Sequence, residues 1–530
     1  MENTEIYPIN IFGIKRLGLE KWFDSYDPPV SDKDYQEIYV KVFAAYEQAF
    51  MSQKDSLSYL MGVCCYKRML LISDIAFECL LLNKLEQRGV RIIAGKEDIS
   101  VTEALSSRQN SKELGTPAIF DTSLKSRGRN LFRQLKTNRH GFALFEALTP
   151  HLSSRKCFLL GSADAKEVKA FCKSGSDEPL VIYPGRYISN CRARYTAEEQ
   201  KALEDAVDNF LELLKTSLPQ EATGFIGKSC AESLKSYFNN ALFTYNSFLA
   251  ALSIWKHLDN LLITGIGNIY HRLFASAWRK RGGTTIGFSH GNPYYISYEP
   301  NLGSGAYHAV LDRYIANSEG EASLVRDGYR DFQSSFSDGC QVEVSPINPY
   351  QKLFNDFQQK PEVKSIRKVM LVGFPMAAMH HPFFPEYEPL SRLAFELETV
   401  KELKKQGHHV IYKTHPDTVE ETSGIFEQYV DEICTERFED CWDVADCFIF
   451  HYDSTALGFA MFSKHPIVFI NVEGTPIHPD VLALMRKRCR IVDAQADGQG
   501  RIKTDFSKLK NAIENSLTNI DYELIKKYAL

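Results

Sequence analysis

The sequence predicts an α/β protein built on parallel sheets. Apolar runs of four to six residues recur along the chain and alternate with long helical patterns, which is how strand–helix units read. An aperiodic stretch at 344–367, rich in Pro, Gln, Lys and Asn, separates two such blocks. In the second block two apolar runs end abruptly in polar clusters, one at His415-Pro416 and one at Asp453-Ser454-Thr455. Strands end this way at the edge where an open α/β sheet binds its ligand.

In the first block, residues 35–87 read as helical, because apolar residues recur at three- and four-residue spacing through Ile38–Phe50 and Tyr59–Leu85. Arg88–Gly95 follows as a short strand after a glycine turn. Further strands are expected at Lys156–Gly161, Leu180–Tyr183, Leu261–Gly265, Thr284–Ser289 and Tyr314–Asn317, with helices at 197–216, 229–256 and 269–281. Ser318, three residues before Glu321, predicts a capping box opening a helix over 319–328.

The second block begins at Lys368. Its pattern predicts strands at 368–373, 409–413, 431–434, 447–450 and 466–470. Helices are expected at 387–407, 421–429, 439–445 and 454–463, and an amphipathic helix at 505–527. The organisation expected from this is an N-terminal α/β domain over 1–345 with a helical first part, a linker over 346–367, a second α/β domain over 368–510, and a C-terminal helix over 511–530. Two Rossmann-like domains with a cleft between them follow. No internal repeat of 20–50 residues is visible.

Composition excludes several classes. The 530 residues are 44% apolar and 24% charged, with a net charge of −5, so neither disorder nor a general affinity for nucleic acid is indicated. The 12 cysteines are scattered without a CxxC pair, which reads as reduced thiols of a cytoplasmic protein and predicts no metal site. The N-terminus lacks the basic and apolar segments of a secretory signal, and the most apolar helical stretch, Met69–Leu82, is too short to span a bilayer and carries Asp74 and Glu78. The protein is expected to be cytoplasmic, and any membrane association is expected to be peripheral, at the cytoplasmic face.

Three motifs carry chemistry. At Lys413-Thr-His-Pro416, Pro416 disfavours the α region at His415 and holds it extended, so the imidazole at a strand end can meet an anion, with Lys413 as a nearby cation. His-Pro also occurs at 381–382, 465–466 and 478–479, so position and not the dipeptide singles out the copy at 415. At His451-Tyr-Asp-Ser-Thr455 a buried strand gives way to a helix; Asp453 is expected to cap it while Ser454 and Thr455 face an anion. At Gly287-Phe-Ser-His-Gly291 a short strand ends in His290, placed to act as a base or to orient a reacting group. Asp164, after the strand at 156–161, and Glu299, in an aromatic loop, are the carboxylate candidates. Asp259 precedes its strand and should face the opposite end of the sheet. Thr264-Gly-Ile-Gly-Asn268 has a glycine turn opening a helix but lacks the third glycine and the acidic residue of a dinucleotide site. No Walker loop and no His-Glu-x-x-His occurs.

Lys413-Thr-His-Pro-Asp417, Asp446–Ala456 and Lys464-His-Pro-Ile-Val-Phe469, with Gly287–Gly291 and Ala316–Glu321 upstream, together resemble bacterial surface-polysaccharide glycosyltransferases of GT-B type, in particular the CMP-Kdo-dependent Kdo transferases of capsule and O-antigen (lipopolysaccharide) assembly. The resemblance spans about 260–475. It implies a GT-B fold and a CMP-activated sugar donor whose phosphate is held by His415, Ser454 and Thr455. Gly373 and the loop 374–381 would lie near base or ribose, and His290 near the transferred sugar. It implies no metal and no cofactor beyond the donor substrate. The acceptor would be a cell-surface glycan or glycolipid.

CDP-glycerol glycerophosphotransferases carry a similar pair of motifs with Asp-Tyr-Ser-Ser where this chain has Tyr452-Asp-Ser-Thr, so transfer of a glycerophosphate is the nearest alternative. A non-catalytic nucleotide-binding scaffold is the other.

Overall fold

A computed structural model of the chain describes residues 6–52, 56–94, 97–99, 157–161, 165–173, 179–187, 196–253, 255, 259–265, 267–288, 308–331, 340–376, 389–475, 477–497, 500–517 and 520–530. Among these the protein is mixed α/β and carries three sheets. The first is small: β1 (Ile6–Pro8) runs parallel to β2 (Arg91–Ala94), which pairs antiparallel with β3 (Glu97–Ile99).

The second contains β4 (Cys157–Leu160), β5 (Leu180–Val181), β6 (Asn260–Ile263), β7 (Thr284–Phe288), β8 (Arg313–Ala316) and β9 (Gln341–Val344), in the order β5-β4-β6-β7-β8-β9 and all parallel.

The third contains β10 (Lys368–Val372), β11 (His409–Lys413), β12 (Glu432–Cys434), β13 (Cys447–Phe450), β14 (Ile467–Val472), β15 (Arg490–Ala496) and β16 (Ile502–Thr504). Its order is β12-β11-β10-β13-β14-β15-β16, with only β16 antiparallel. A parallel strand is covered on both faces and therefore reads as a continuous apolar run; Cys447-Phe-Ile-Phe450 is buried throughout. Alternate side chains divide between two cores. Val369, Leu371, Val410 and Tyr412 join one, and Met370, Val372 and Ile411 join the other.

The expected strands appear at 409–413 and 447–450, and the long helices at Ala197–Ser217 and Lys228–Leu252. Four segments differ. The stretch expected as a linker contains the helix Gln351–Gln358, whose Phe357 is buried edge-on against Trp442 and Phe459. Three apolar residues in eight suffice to dock one face. The helix expected over 421–429 is one turn, Val419–Thr422, because Gly424 at φ 80° ends it. The helix expected over 505–527 is two, Phe506–Glu514 and Glu523–Tyr528. Strands β15 and β16 were not expected; β15 starts at a basic residue and its outer half alternates in burial.

Both ends of the chain cross between sheets. Residues 11–26, grouped by sequence with the first block, pack into the core of the third sheet through Ile14, Trp22 and Tyr26, and Tyr26 Oη lies 3.0 Å from Ser391 Oγ. At the other end, Ser318 Oγ donates to the Tyr528 carbonyl at 2.6 Å and Asn348 Nδ2 to the Ala529 carbonyl at 2.8 Å. Among the described residues no helix is long and apolar enough to cross a membrane.

Candidate functional site

In the third sheet the chain builds β10, moves outward to β11 and β12, then returns to the far side of β10 to build β13, β14 and β15. β10 and β13 are therefore neighbours whose next strands lie on opposite sides, a switch point, and in such folds ligands bind at its carboxyl edge. Six of the sequence-predicted residues come from the three strand ends at this edge: Gly373 from β10, Lys413, His415 and Pro416 from β11, Ser454 and Thr455 from β13.

Gly373 forms the middle of the edge. Its N–H donates to the Lys413 carbonyl at 2.9 Å. A Cβ there would lie 2.3 Å from Tyr412 Oη, so the backbone comes down where a side chain has no room. The end of β11 stands on one side and that of β13 on the other, two inter-strand spacings or roughly 9–10 Å apart.

His415 is half-buried, and its carbonyl accepts from Thr418 N at 3.0 Å, opening the 3₁₀ turn Pro416–Thr418 on which Pro416 is exposed. Ser454 is the helix cap: its Oγ accepts from Leu457 N at 3.2 Å, while Asp453, the expected cap, is buried just before it. The helix is Thr455–Ala460, shorter than expected, and Thr455 is exposed on its first turn. The Ser454 hydroxyl also hydrogen-bonds the Tyr452 phenol.

Lys413 is placed differently from its neighbours. It is 2% exposed and donates to the Thr414 carbonyl at 2.7 Å, and burial lowers its pKa. Its charge is felt by Cys434, opposite it in register on β12. A hydrogen bond from Cys441 and the Lys413 charge together bring the Cys434 thiol down to about 7.

His290, Asp164 and Glu299, the three candidates for the reacting side of the chemistry, lie outside the described residues. The strand ends next to them are described. Gly161 sits at φ 116° with no room for a Cβ, which would fall 2.0 Å from Thr264 Oγ1, and Thr264 N donates to the Leu160 carbonyl at 2.9 Å. Gly265 has φ 70°, and Asn268 caps the helix Ile269–Lys280. Asp259 is at the opposite end, its carbonyl accepting from Thr284 N at 2.8 Å.

Beneath the edge of the third sheet lies a polar cluster that sequence reasoning missed. Glu396, on the helix Pro389–Lys405, accepts at Oε1 from the Phe374 N–H and from His451 Nε2 at 2.7 Å, and at Oε2 from Tyr412 Oη at 2.7 Å. Arg392 donates to the His451 carbonyl at 3.0 Å and to His451 Nδ1 at 3.3 Å. Tyr452 Oη donates to the Gly373 carbonyl at 2.9 Å. Glu396, His451, Arg392 and Tyr412 have no exposed surface. A guanidinium cannot accept, so Nδ1 is the ring's acceptor and Nε2 carries the proton given to Glu396. Burial lowers the His451 pKa, with Glu396 opposing. The sequence carries no signal for this: Leu390, Leu393, Ala394 and Leu397 mark one apolar face, and Arg392, Glu396 and Thr399 share the opposite one, where a polar face is ordinarily exposed.

Among the described residues no three His, Cys, Asp or Glu side chains are grouped to hold a metal. No protein-family model and no curated protein matches the sequence. Among solved structures, the chain is similar to a Methanocaldococcus jannaschii UDP-GlcNAc 2-epimerase in complex with UDP-GlcNAc and UDP, at 11% identity and a TM-score of 0.35, over 68% of this chain and 92% of that one.

Proposed function

We propose that the protein is a glycosyltransferase that moves a sugar, Kdo or another nonulosonic-type sugar, from a CMP-activated donor to a cell-surface glycan or lipid-linked acceptor at the cytoplasmic face of the membrane. In this reading the second and third sheets belong to the two Rossmann-like halves of a GT-B enzyme, divided near 346–367, and the donor binds to the third. The observation that carries it is the pairing of His415 with Ser454 and Thr455 on strands that flank a side-chain-free Gly373 at the sheet's switch point. An imidazole on one side and two hydroxyls on the other suit a nucleotide phosphate.

Chemically, departure of CMP leaves positive charge on the sugar and negative charge on the phosphate. His415 and the two hydroxyls would stabilise the latter. A phosphate would compete with the Tyr452 phenol for the Ser454 proton. His290, Asp164 or Glu299 would activate the acceptor hydroxyl or attack the anomeric carbon.

CMP release from CMP-Kdo, CMP-sialic acid and CDP-glycerol, assayed separately, tests the donor class. Release from a CMP-sugar is expected; release from CDP-glycerol alone would move the protein to glycerophosphate transfer. His415→Ala and Ser454→Ala should each weaken CMP binding tenfold or more. Unchanged affinity in both would remove the phosphate site.

A further inference from the structure

We propose that Glu396 is a positioning residue for this site: one buried carboxylate ties together the ends of β10, β11 and β13, so that nucleotide affinity depends on a group that does not touch the nucleotide. The proposal rests on the reading above. Its basis is that the three donors to Glu396 come from three adjacent strands: the Phe374 N–H just after β10, the Tyr412 hydroxyl on β11, and the His451 ring just after β13. These are the strands whose ends carry Gly373, His415 and Ser454.

The chemistry of burial gives the reason to assign a role. A carboxylate withdrawn from water is costly unless its lone pairs are met by donors, and a well-packed apolar side chain serves a plain helix–sheet contact at least as well. Here every donor is also a point of the site's framework. From Glu396 the hydrogen bonds continue through the Phe374-Gly373 backbone and the Tyr452 phenol to the Ser454 hydroxyl. On the other side Gly373 N–H is bonded to Lys413, two residues before His415. Arg392 fixes the His451 tautomer that donates to Glu396, so the ring acts as a spacer of one orientation.

The test uses the full chain with CMP as the probe. Wild type, Glu396→Gln, Glu396→Leu and Tyr412→Phe are compared by calorimetric titration and by hydrogen exchange of peptides covering 372–376, 412–418 and 450–456. Glutamine keeps one oxygen for Phe374 and His451 and turns its amide to Tyr412, whose hydroxyl can accept; it should stay within about threefold of wild type. Leucine should weaken CMP tenfold or more and raise exchange at all three strand ends together. Tyr412→Phe, which removes one donor and no charge, should weaken CMP severalfold, and decides the matter if Glu396→Leu does not fold. Folded Leu and Phe variants that bind CMP within twofold of wild type, whatever their exchange, would reduce Glu396 to a fold contact. If the wild type itself does not bind CMP, the nucleotide reading fails and takes this proposal with it; that outcome is told apart by the wild-type titration alone.

Discussion

The Tyr412 hydroxyl occupies the place where Gly373 would carry a side chain: a Cβ built there lies 2.3 Å from Oη and 2.5 Å from the ring carbon Cζ. The glycine at the end of β10 and the tyrosine of β11 are therefore one packing unit, and the strand turns where it does because nothing projects from residue 373. Gly373→Ala should destabilise the protein by about 1–3 kcal/mol, the usual cost of forcing an atom into a packed core. Tyr412→Phe should not relieve it, since Cζ remains in place. Urea denaturation of the single and double variants checks this, and a neutral Gly373→Ala would show that the sheet edge gives way.

The C-terminal tail should loosen without Asn348. Its amide donates to the carbonyls of Asn317 at 2.9 Å, Ala529 at 2.8 Å and Leu530 at 3.2 Å, joining the end of β8 to the last two residues. Asn348→Ala leaves those carbonyls without this donor and is expected to cost about 1–3 kcal/mol. Exchange of the amides in 523–530 should rise by tenfold or more. Unaltered protection of that peptide would mean the tail is held elsewhere.

Glu321 and His465 predict opposite pH trends. Burial raises the Glu321 carboxyl to about 7 despite hydrogen bonds from Asn317 and Tyr314. The folded chain then holds this proton at pH values where the unfolded chain has lost it. Its contribution is full below about 4.5 and is lost as pH rises to 7. Burial lowers His465 to about 4, with Arg488 adding to the effect. The unfolded chain protonates first, so stability is full above about 6.5 and falls as pH drops toward 4. Glu321→Gln should therefore gain up to about 3 kcal/mol on wild type between pH 4.5 and pH 8. A melting-temperature difference that does not change with pH would contradict the assignment.

Cys434 should be alkylated ahead of the buried cysteines. Its thiol is held at about 7 by the Cys441 hydrogen bond and the Lys413 charge, while burial pushes Cys64 up to about 11 and Cys230, Cys447 and Cys489 up to about 12. Iodoacetamide at pH 7.5 followed by peptide mass spectrometry gives the order. Lys413→Met should slow labelling of Cys434 severalfold; an equal rate in the variant would show that the two side chains do not interact.

Much of the scaffold was legible in the chain because its signals are local. The strand at 447–450 is a four-residue apolar run, the helix at 197–217 begins with a Thr196–Glu199 capping box, and both stand where the pattern puts them. The edge residues were legible for the same reason: an apolar run that stops at His415 or Ser454 marks its own end. The helix at 351–358 was not, because its composition is polar and its partners, Trp442 and Phe459, lie about a hundred residues downstream.

By itself the sequence determined that parallel strands alternate with helices in two blocks and that His415, Ser454 and Thr455 follow strand ends, since periodicity and strand length depend only on neighbouring residues. Tertiary structure alone decided that these ends flank Gly373, because strand order in a sheet depends on which connections cross over. It also decided that Glu396 meets Phe374, Tyr412 and His451, that Lys413 turns inward, that residues 11–26 pack on the third sheet, and that Tyr528 bonds Ser318 just after β8. Each of these is a contact between residues distant along the chain, and such contacts form only when the packed core brings them together.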